Sequence, residues 1–480
     1  MRSRSTRQWG GLKFTEELMG DHTRTRRTML LTTLVTAAFL AAPPVRALPR
    51  QTPGNTTVAA SDVTVLRFGK LWDGSKVTTD AVVVVQGDRV KSVGSGNAAV
   101  PANAKIIDLS KYYAIPGMID AHTHITYWAD ATPRPGVRPQ QTMAALSTAV
   151  RVFMAQENAR KSLEAGFTSV RDLGAQDYAD VSMRELINRG AMVGPRVFAA
   201  GYGIHVTNQA RRPGEVLVPT GGEANGPAEV MKAVREQIAA GADVIKMFGS
   251  VGGFDNVNTN QTFGFEEMKA AVEVAHAYGK KIAIHSYGAS GARDAARAGP
   301  DSIEHAVDID DATLKEMATR RTVYVPTVAH NKVYLENGDW FGFAPGYPEK
   351  FKDYIDRNME TVRRAIKAGV RVGMGSDAVF IGWGQNARDL PLYVESGMTP
   401  EQALATVTSV NATLLPLEKT LGAVAPGYYA DIVALQGDPL ADINVVLKGV
   451  RWVMKGGQVV VNKTETASST SSRGGVEQPR

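Results

Sequence analysis

The chain has 480 residues, 44% of them hydrophobic, which suffices for a barrel-sized domain with a smaller companion and a filled core. Its net charge of +6 sits mostly at one end: residues 1–47 hold eight Lys and Arg against three Asp and Glu, a local +5. The remainder carries only +1, so no electrostatic footprint for a nucleic acid exists, and the absence of cysteine excludes disulfides, zinc-thiolate centres and cysteine nucleophiles.

Residues 1–47 read as an export signal. Arg24, Arg26 and Arg27 precede an apolar run over 29–42, which stops at Pro43-Pro44 and leads to a small-residue exit, V-R-A, at Ala47. That run is shorter than the roughly 20 residues of a spanning helix, so no stable membrane anchor is expected. Export to the periplasm or medium is expected, by the Sec route or, through Arg26-Arg27, by the twin-arginine route.

Over 62–113 the segments V-T-V-L-R-F, A-V-V-V-V-Q and K-I-I-D-L are separated by D-G-S and Q-G-D-R turns, the pattern of short hairpins. From 114 to 417 the texture changes to short apolar strands alternating with amphipathic helical stretches. Candidate strands end near His124, Asp172, Gly201, Phe248, His285, His305, Thr327 and Asp377. Eight such units predict an α/β protein, a (β/α)8 TIM barrel. Helices over 266–278 and 311–320 fit its outer layer, and residues 331–348, rich in Gly and aromatics, are expected to be a long insertion after strand seven and a candidate lid. Residues 418–462 return to short strands, D-I-V-A-L and W-V-M-K-G-G-Q-V-V-V, so they are expected to join 62–113 in a small β-sandwich. The Ser/Thr-rich tail, 463–480, is expected to be disordered.

The stretch A-I-P-G-M-I-D-A-H-T-H-I, from Ala114, places His122 and His124 on one side of an extended backbone, where two imidazoles can grip one metal ion. Chemistry in such barrels sits at the carboxyl ends of the strands, and there the unusual polar residues fall: His122, His124, Lys246, His285, His305 and Asp377. Taken singly, His285 could be a core histidine, His305 a helix cap and Asp377 an N-cap. Lys246, flanked by V-I and M-F, is harder to dismiss, because an ammonium in a buried strand needs a partner. Two divalent ions require more ligands than four imidazoles, and Lys246 carbamylated by carbon dioxide supplies a bridging anion. This donor set suits zinc, with cobalt, manganese and iron as alternatives. Water held by two such ions yields hydroxide at neutral pH, and Asp377 would take its proton and pass it to the leaving amine.

The motifs P-G-M-I-D-A-H-T-H, V-I-K-M, A-I-H-S-Y-G, S-I-E-H-A, G-S-D-A and G-Y-Y-A-D-I-V-A-L resemble the metal-dependent amidohydrolase superfamily. Within it the chain is similar to the imidazolonepropionase-like group that includes Xaa-Pro dipeptidases, related carboxypeptidases and ochratoxin-degrading amidases. The likeness covers residues 63–461. It implies a binuclear site in which His122, His124 and Asp377 hold one metal, His285 and His305 hold the other, and carbamylated Lys246 bridges them. Many relatives carry G-G-H after strand three, whereas this chain reads G-Y-G-I-H-V-T-N-Q. That departure bears on the substrate. His205, Tyr287 and His330, near the expected mouth, are candidates for orienting it, and Arg211 and Arg212 for a substrate carboxylate. His276, inside a helix, is expected to have no role.

The expected activity is hydrolysis of an amide bond in a dipeptide or N-acyl amino acid. A cyclic amidase or lactonase could use the same nucleophile, and a barrel that had lost its metal could serve as a binding scaffold. Imidazolonepropionase itself fits less well, since that enzyme is expected to use one metal and no bridging lysine. The expected partner is a small molecule, and a homo-oligomer is left open.

Overall fold

The computed structural model describes residues 63–96, 98, 100–130, 139–207, 221–250, 261–343 and 345–464. The export signal, Arg211, Arg212 and the tail beyond residue 464 lie outside the described residues.

Strands β1 (Val63–Trp72), β2 (Val77–Gln86), β3 (Arg89–Ser95) and β4 (Lys105–Pro116) open the fold. β2 pairs antiparallel with β1 and β3, while β4 runs parallel to β1. Successive side chains of a strand alternate in direction, so the run of valines in β2 feeds two faces. Val83 and Val85 pack with Leu66, Phe68 and Trp452 on one face, and Val82 and Val84 with Val63 and Val65 on the other. Both faces are covered, which is why the strand reads as a continuous apolar run. At the end of β4 the chain passes through Gly117, where a Cβ would collide with Thr168 and Asp431.

Seven buried parallel strands follow: β5 (Met118–Thr123), β6 (Phe167–Asp172), β7 (Arg196–Ala199), β8 (Val244–Phe248), β9 (Lys281–Ser286), β10 (Ser302–His305) and β11 (Val323–Val325). They form one sheet ordered β5-β6-β7 and another ordered β11-β10-β9-β8. Backbone bonds link the two sheets at both edges. Past β7, Ile204 donates to the Lys246 carbonyl at 2.8 Å. On the other side, residues 371–378 lie between β11 and β5: Tyr324 N–H donates to Arg371 O at 2.8 Å, Ala121 N–H to Met374 O at 3.0 Å and Asp377 N–H to His122 O at 2.7 Å. This segment was expected to be the eighth strand. It pairs only through isolated bridges at Val372 and Ala378. Gly373 and Gly375 leave no side chains to pack on a regular ladder and let the backbone press instead against Asn411 and His122.

The expected outer helices are present at Phe265–Ala277 and Asp311–Arg320, the second capped by Asp310, whose carboxylate accepts from Thr313 N–H at 2.7 Å. The expected insertion over 331–348 carries helices Val328–Glu336 and Gly338–Phe341 and the start of Tyr347–Lys367. Its aromatic residues pack into a buried cluster around Val333, Phe341, Val379 and Phe380. β12 (Ile432–Leu435), β13 (Val450–Lys455) and β14 (Gln458–Asn462) then return to the first sheet, β12 pairing antiparallel with β4. The terminal pieces expected to form a small sandwich are therefore strands of one seven-stranded sheet, ordered β14-β13-β12-β4-β1-β2-β3. Among the described residues no helix is long and apolar enough to cross a membrane.

Candidate metal centre and active site

His122 and His124 end β5, and Asp377 follows the glycine-rich segment beside it. One donor atom from each lies within 4.8 Å of the others. The carboxylate Oδ1 of Asp377 stands 3.7 Å from His122 Nε2 and 3.4 Å from His124 Nε2. The other ring nitrogens are committed: His122 Nδ1 lies 2.7 Å from Glu304 Oε2, and His124 Nδ1–H donates to the Gly174 carbonyl at 3.0 Å. Fixing Nδ1 leaves Nε2 as the ligand atom on both rings.

Across the strand ends, His285 and His305 stand with ring centres 4.5 Å apart, and His305 is 4.9 Å from His122. His305 Nδ1 bonds Thr327 Oγ1 at 2.7 Å, so its Nε2 is the ring nitrogen left for a ligand. Lys246, 1% exposed, lies on β8, next to the β9 that carries His285. Five of the six residues proposed from sequence thus meet at one end of the parallel strands, and Lys246 lies buried in β8 near enough for its charge to act on His122, His285 and His305. Three strand ends there adopt left-handed backbone: His305 at φ 70°, Thr327 at φ 50° and Asp377 at φ 48°. Such conformations are unfavourable for side-chain-bearing residues and persist where the surroundings enforce them.

Burial and mutual charge set the proton affinities. Burial, aided by the Lys246 charge, lowers His122 to about 4, so its imidazole is neutral and donates Nδ1–H to Glu304. His124 is likewise disfavoured by burial, yet the Asp377 carboxylate raises it. Asp377 is pushed up by burial but held well below the usual carboxylate range by His330, His122 and His124. Burial lowers Lys246 to about 8. A larger fraction of it than of an ordinary lysine is therefore the neutral amine, the form that reacts with carbon dioxide. These are donors of the kind a divalent ion takes: imidazoles held neutral at His122, His285 and His305, an ionised carboxylate at Asp377 and a convertible amine at Lys246.

The residues proposed to orient substrate fall differently. Tyr287 packs on both second-group histidines, 4.6 Å from the His285 ring and 5.2 Å from that of His305. Its hydroxyl is raised by burial. His330 brackets Asp377: Nδ1–H donates to the Asp377 carbonyl at 2.8 Å, and Nε2 faces Oδ2 at 3.5 Å. His205 follows Ile204, which bonds β8 on both sides, and its Nδ1–H donates to Gly203 O at 2.9 Å. His276, on its helix, pairs with Asp301 at 2.9 Å.

Several site residues escaped the sequence reading. Glu304 is fully buried behind His122, and Arg171 Nη2 holds its other oxygen at 2.9 Å, with Ser302 also donating to it. Burial would raise the Glu304 carboxyl, but Arg171 and His122 draw it well below its ordinary value. Asp120 Oδ1 accepts the His122 N–H at 3.2 Å and the Ser376 N–H at 2.9 Å, tying the two ligand-bearing segments together. Charged residues inside the apolar strands T-S-V-R-D and S-I-E-H were the available signal, by the criterion that singled out Lys246.

The amidohydrolase family model matches residues 113–460. Ochratoxinase of Aspergillus niger is 29% identical over 443 residues, covering 84% of this chain and 88% of that protein. Imidazolonepropionase of Streptomyces avermitilis is 26% identical over 388 residues, covering 74% and 80%. A crystal structure of a Xaa-Pro dipeptidase with methionine bound in its active site superposes with a TM-score of 0.74 at 31% identity, covering 83% of this chain and 99% of that one. The match spans most of the chain and contains every strand end described above, so the protein belongs to the amidohydrolase family and is a hydrolase acting on carbon–nitrogen bonds.

Proposed function

We propose that this chain uses a two-metal centre, on an eight-unit (β/α)8 barrel, to hydrolyse the amide bond of a dipeptide or N-acyl amino acid. In this reading His122, His124 and Asp377 hold one divalent ion, zinc by donor chemistry, and His285 and His305 hold the second. Lys246 would supply a carboxylate donor shared by the two once its neutral amine adds carbon dioxide, a step that forms an N–C bond and releases a proton. When bound, the metals supply hydroxide at neutral pH and polarise the substrate carbonyl.

The chain's own groups do the rest. Asp377 accepts the nucleophile's proton and returns it to the leaving nitrogen, a role open to a carboxylate held ionised in a buried site. Glu304 fixes the tautomer of His122, and Thr327 the ring of His305. Tyr287 and His330 flank the donors and orient the substrate, and His205 is a third candidate at the rim. The observation that carries the reading is the convergence of His122, His124 and Asp377 donor atoms within 4.8 Å, with both Nδ1 atoms engaged elsewhere. The relatives named ochratoxinase and Xaa-Pro dipeptidase support a small amide as substrate. We also propose that residues 1–47 direct export.

The test combines metal analysis with a substrate panel of dipeptides, N-acyl amino acids and lactones. About two metal equivalents per chain and turnover of an amide are expected, and Lys246→Ala loses both unless short carboxylic acids replace the carbamate. Full activity of Lys246→Ala without such acids removes the bridge, and turnover of lactones alone replaces the amidase.

A further inference from the structure

A buried amide reaches the end of β10 from helix Tyr347–Lys367. Asn358, on the buried face of that helix, is fully enclosed. Its Nδ2 donates to the Pro326 carbonyl at 2.9 Å, and its Oδ1 lies 3.1 Å from the Tyr324 hydroxyl. That hydroxyl has one proton and also lies 2.6 Å from Ala306 O and 3.1 Å from His305 O, so it bridges the amide to the carbonyls at the β10 end. Pro326 precedes Thr327, whose Oγ1 fixes the His305 ring at 2.7 Å from Nδ1. Asn358 thus reaches His305 by two routes, to its backbone through Tyr324 and to its ring through Pro326 and Thr327. One helical turn on, Thr361 Oγ1 accepts the Asp308 N–H at 2.9 Å. His305, Thr327 and Asp308, the residues so held, all have left-handed backbone, at φ 70°, 50° and 56°. Such conformations last only where surrounding contacts enforce them.

We propose that Asn358 is a positioning residue that fixes the His305 imidazole and, with it, the second half of the metal centre. The proposal rests on the two-metal reading above and adds the group that sets one of its two sites. An asparagine inside a helix is a poorer helix former than leucine, and a buried amide is costly unless its bonds are made. Both ends of this one bond to β11 and its exit rather than to its own helix. His122, His124 and Asp377 are held by other groups, Glu304, Gly174 and His330. Loss of the amide therefore frees Thr327 and the His305 ring while leaving the first ligand set in place.

Variants of the purified full chain test this. Asn358→Leu removes both routes, Asn358→Asp keeps the acceptor facing Tyr324 but loses the donor to Pro326 O, and Tyr324→Phe removes the hydroxyl. Stepwise zinc titration against a competing chelator reads the two sites separately, the second being the equivalent lost in His305→Gln. That equivalent is expected to weaken about tenfold in Asn358→Leu and severalfold in each of the other two, with the first unchanged. Val362→Ala, equally buried on the same helix, controls for general destabilisation and is expected to weaken neither. Loss from both sites alike, no loss, or the same loss in Val362→Ala overturns the proposal. Should Asn358→Leu misfold, Asn358→Asp and Tyr324→Phe decide by the same criteria. A metal-free readout separates this from failure of the two-metal reading. In protein isotope-labelled at histidine Cε1, the NMR signal of His305, assigned by its loss in His305→Gln, is expected to be single and sharp in wild type and Val362→Ala, and split or broadened in the Asn358 variants. An unchanged signal overturns the positioning role whether or not two ions bind. A perturbed signal in a chain whose wild type takes up one ion at most supports the positioning of His305 and sinks the two-metal centre instead.

Discussion

His122 can offer Nε2 to a metal only while Nδ1 keeps its proton, and Glu304 is what keeps it there. The carboxylate accepts from Nδ1 at 2.7 Å and is itself held by Arg171. Glu304→Gln replaces one acceptor oxygen by a donor. Turned towards His122, the amide group opposes Nδ1–H and favours the tautomer that blocks Nε2; turned away, it opposes the Arg171 guanidinium. Metal affinity is therefore expected to fall about 10–100-fold, read from metal retained against a graded chelator at a temperature where the variant is folded. Unchanged retention would remove Glu304 from the site. Asp172 behaves differently. Its Oδ1 accepts from Thr123 and Ile125, while Oδ2 is buried without a partner. Burial and the nearby Asp180 raise it to about 8. A carboxyl raised in the folded state binds its proton there but not in the unfolded chain between about pH 4 and 8, so its contribution is present at low pH and is lost as pH rises through about 8. Asp172→Asn cannot titrate. The stability of the wild type relative to this variant should decline from pH 5 to pH 8 in urea midpoints, on the order of a kcal/mol or more. Parallel pH profiles for the two proteins would show that Asp172 is ionised when folded.

The segment between β11 and β5 shows how an element shapes a site without contributing to its chemistry. A Cβ on Gly375 would lie 2.5 Å from the Cβ of His122 and 2.6 Å from Val325 Cγ1. A β-carbon and a branched methyl fill that space, and neither is the far end of a flexible side chain that could yield. Gly375→Ala is expected to lower stability by about 1–3 kcal/mol and to push His122 off its ligand position, so the melting temperature and the metal content fall together. A stable variant with full metal content would show that the strand end can shift freely. This glycine was invisible as a site residue in the sequence, since its importance lies in what approaches it from a strand 250 positions away. The candidate donors were legible, because histidines and a lysine at or near the ends of apolar strands break a pattern that burial otherwise enforces. Glu304 and Arg171 break the same pattern inside their strands, but their pairing across 133 positions, which makes them a support for His122, is visible only in the fold. The helices over 328–367 were missed because Gly338, Gly342 and Gly346 punctuate them. Tertiary packing of Phe341 and Phe351 overrides that local signal.

At the scale of the molecule, the seven-stranded sheet joins sequence from both ends of the described chain, and one tyrosine ties it to the strands that carry the site. Tyr429, just before β12, lies between two guanidinium groups, with Arg89 of β3 3.5 Å from its ring centre and Arg196 of β7 4.2 Å away. Arg196 also pairs with Asp431 at 2.8 Å and donates to Ser169 on β6 at 3.1 Å. The sheet and the β5-β6-β7 strands thus share a stack of charge, ring and charge, which adds to the apolar contacts around Leu421 and Phe198. Tyr429→Leu keeps apolar bulk and removes both cation–ring attractions, so unfolding stability should drop by about 1–2 kcal/mol. Arg89→Met, which removes the more exposed partner alone, should account for the smaller share, because solvent screens a half-exposed charge. Urea denaturation of the two single variants and the double variant checks this: if the ring mediates the attraction, Arg89→Met adds little once Tyr429 is gone. Fully additive losses would mean that Arg89 acts through other contacts, such as its bond to the Gly427 carbonyl, and not through the Tyr429 ring.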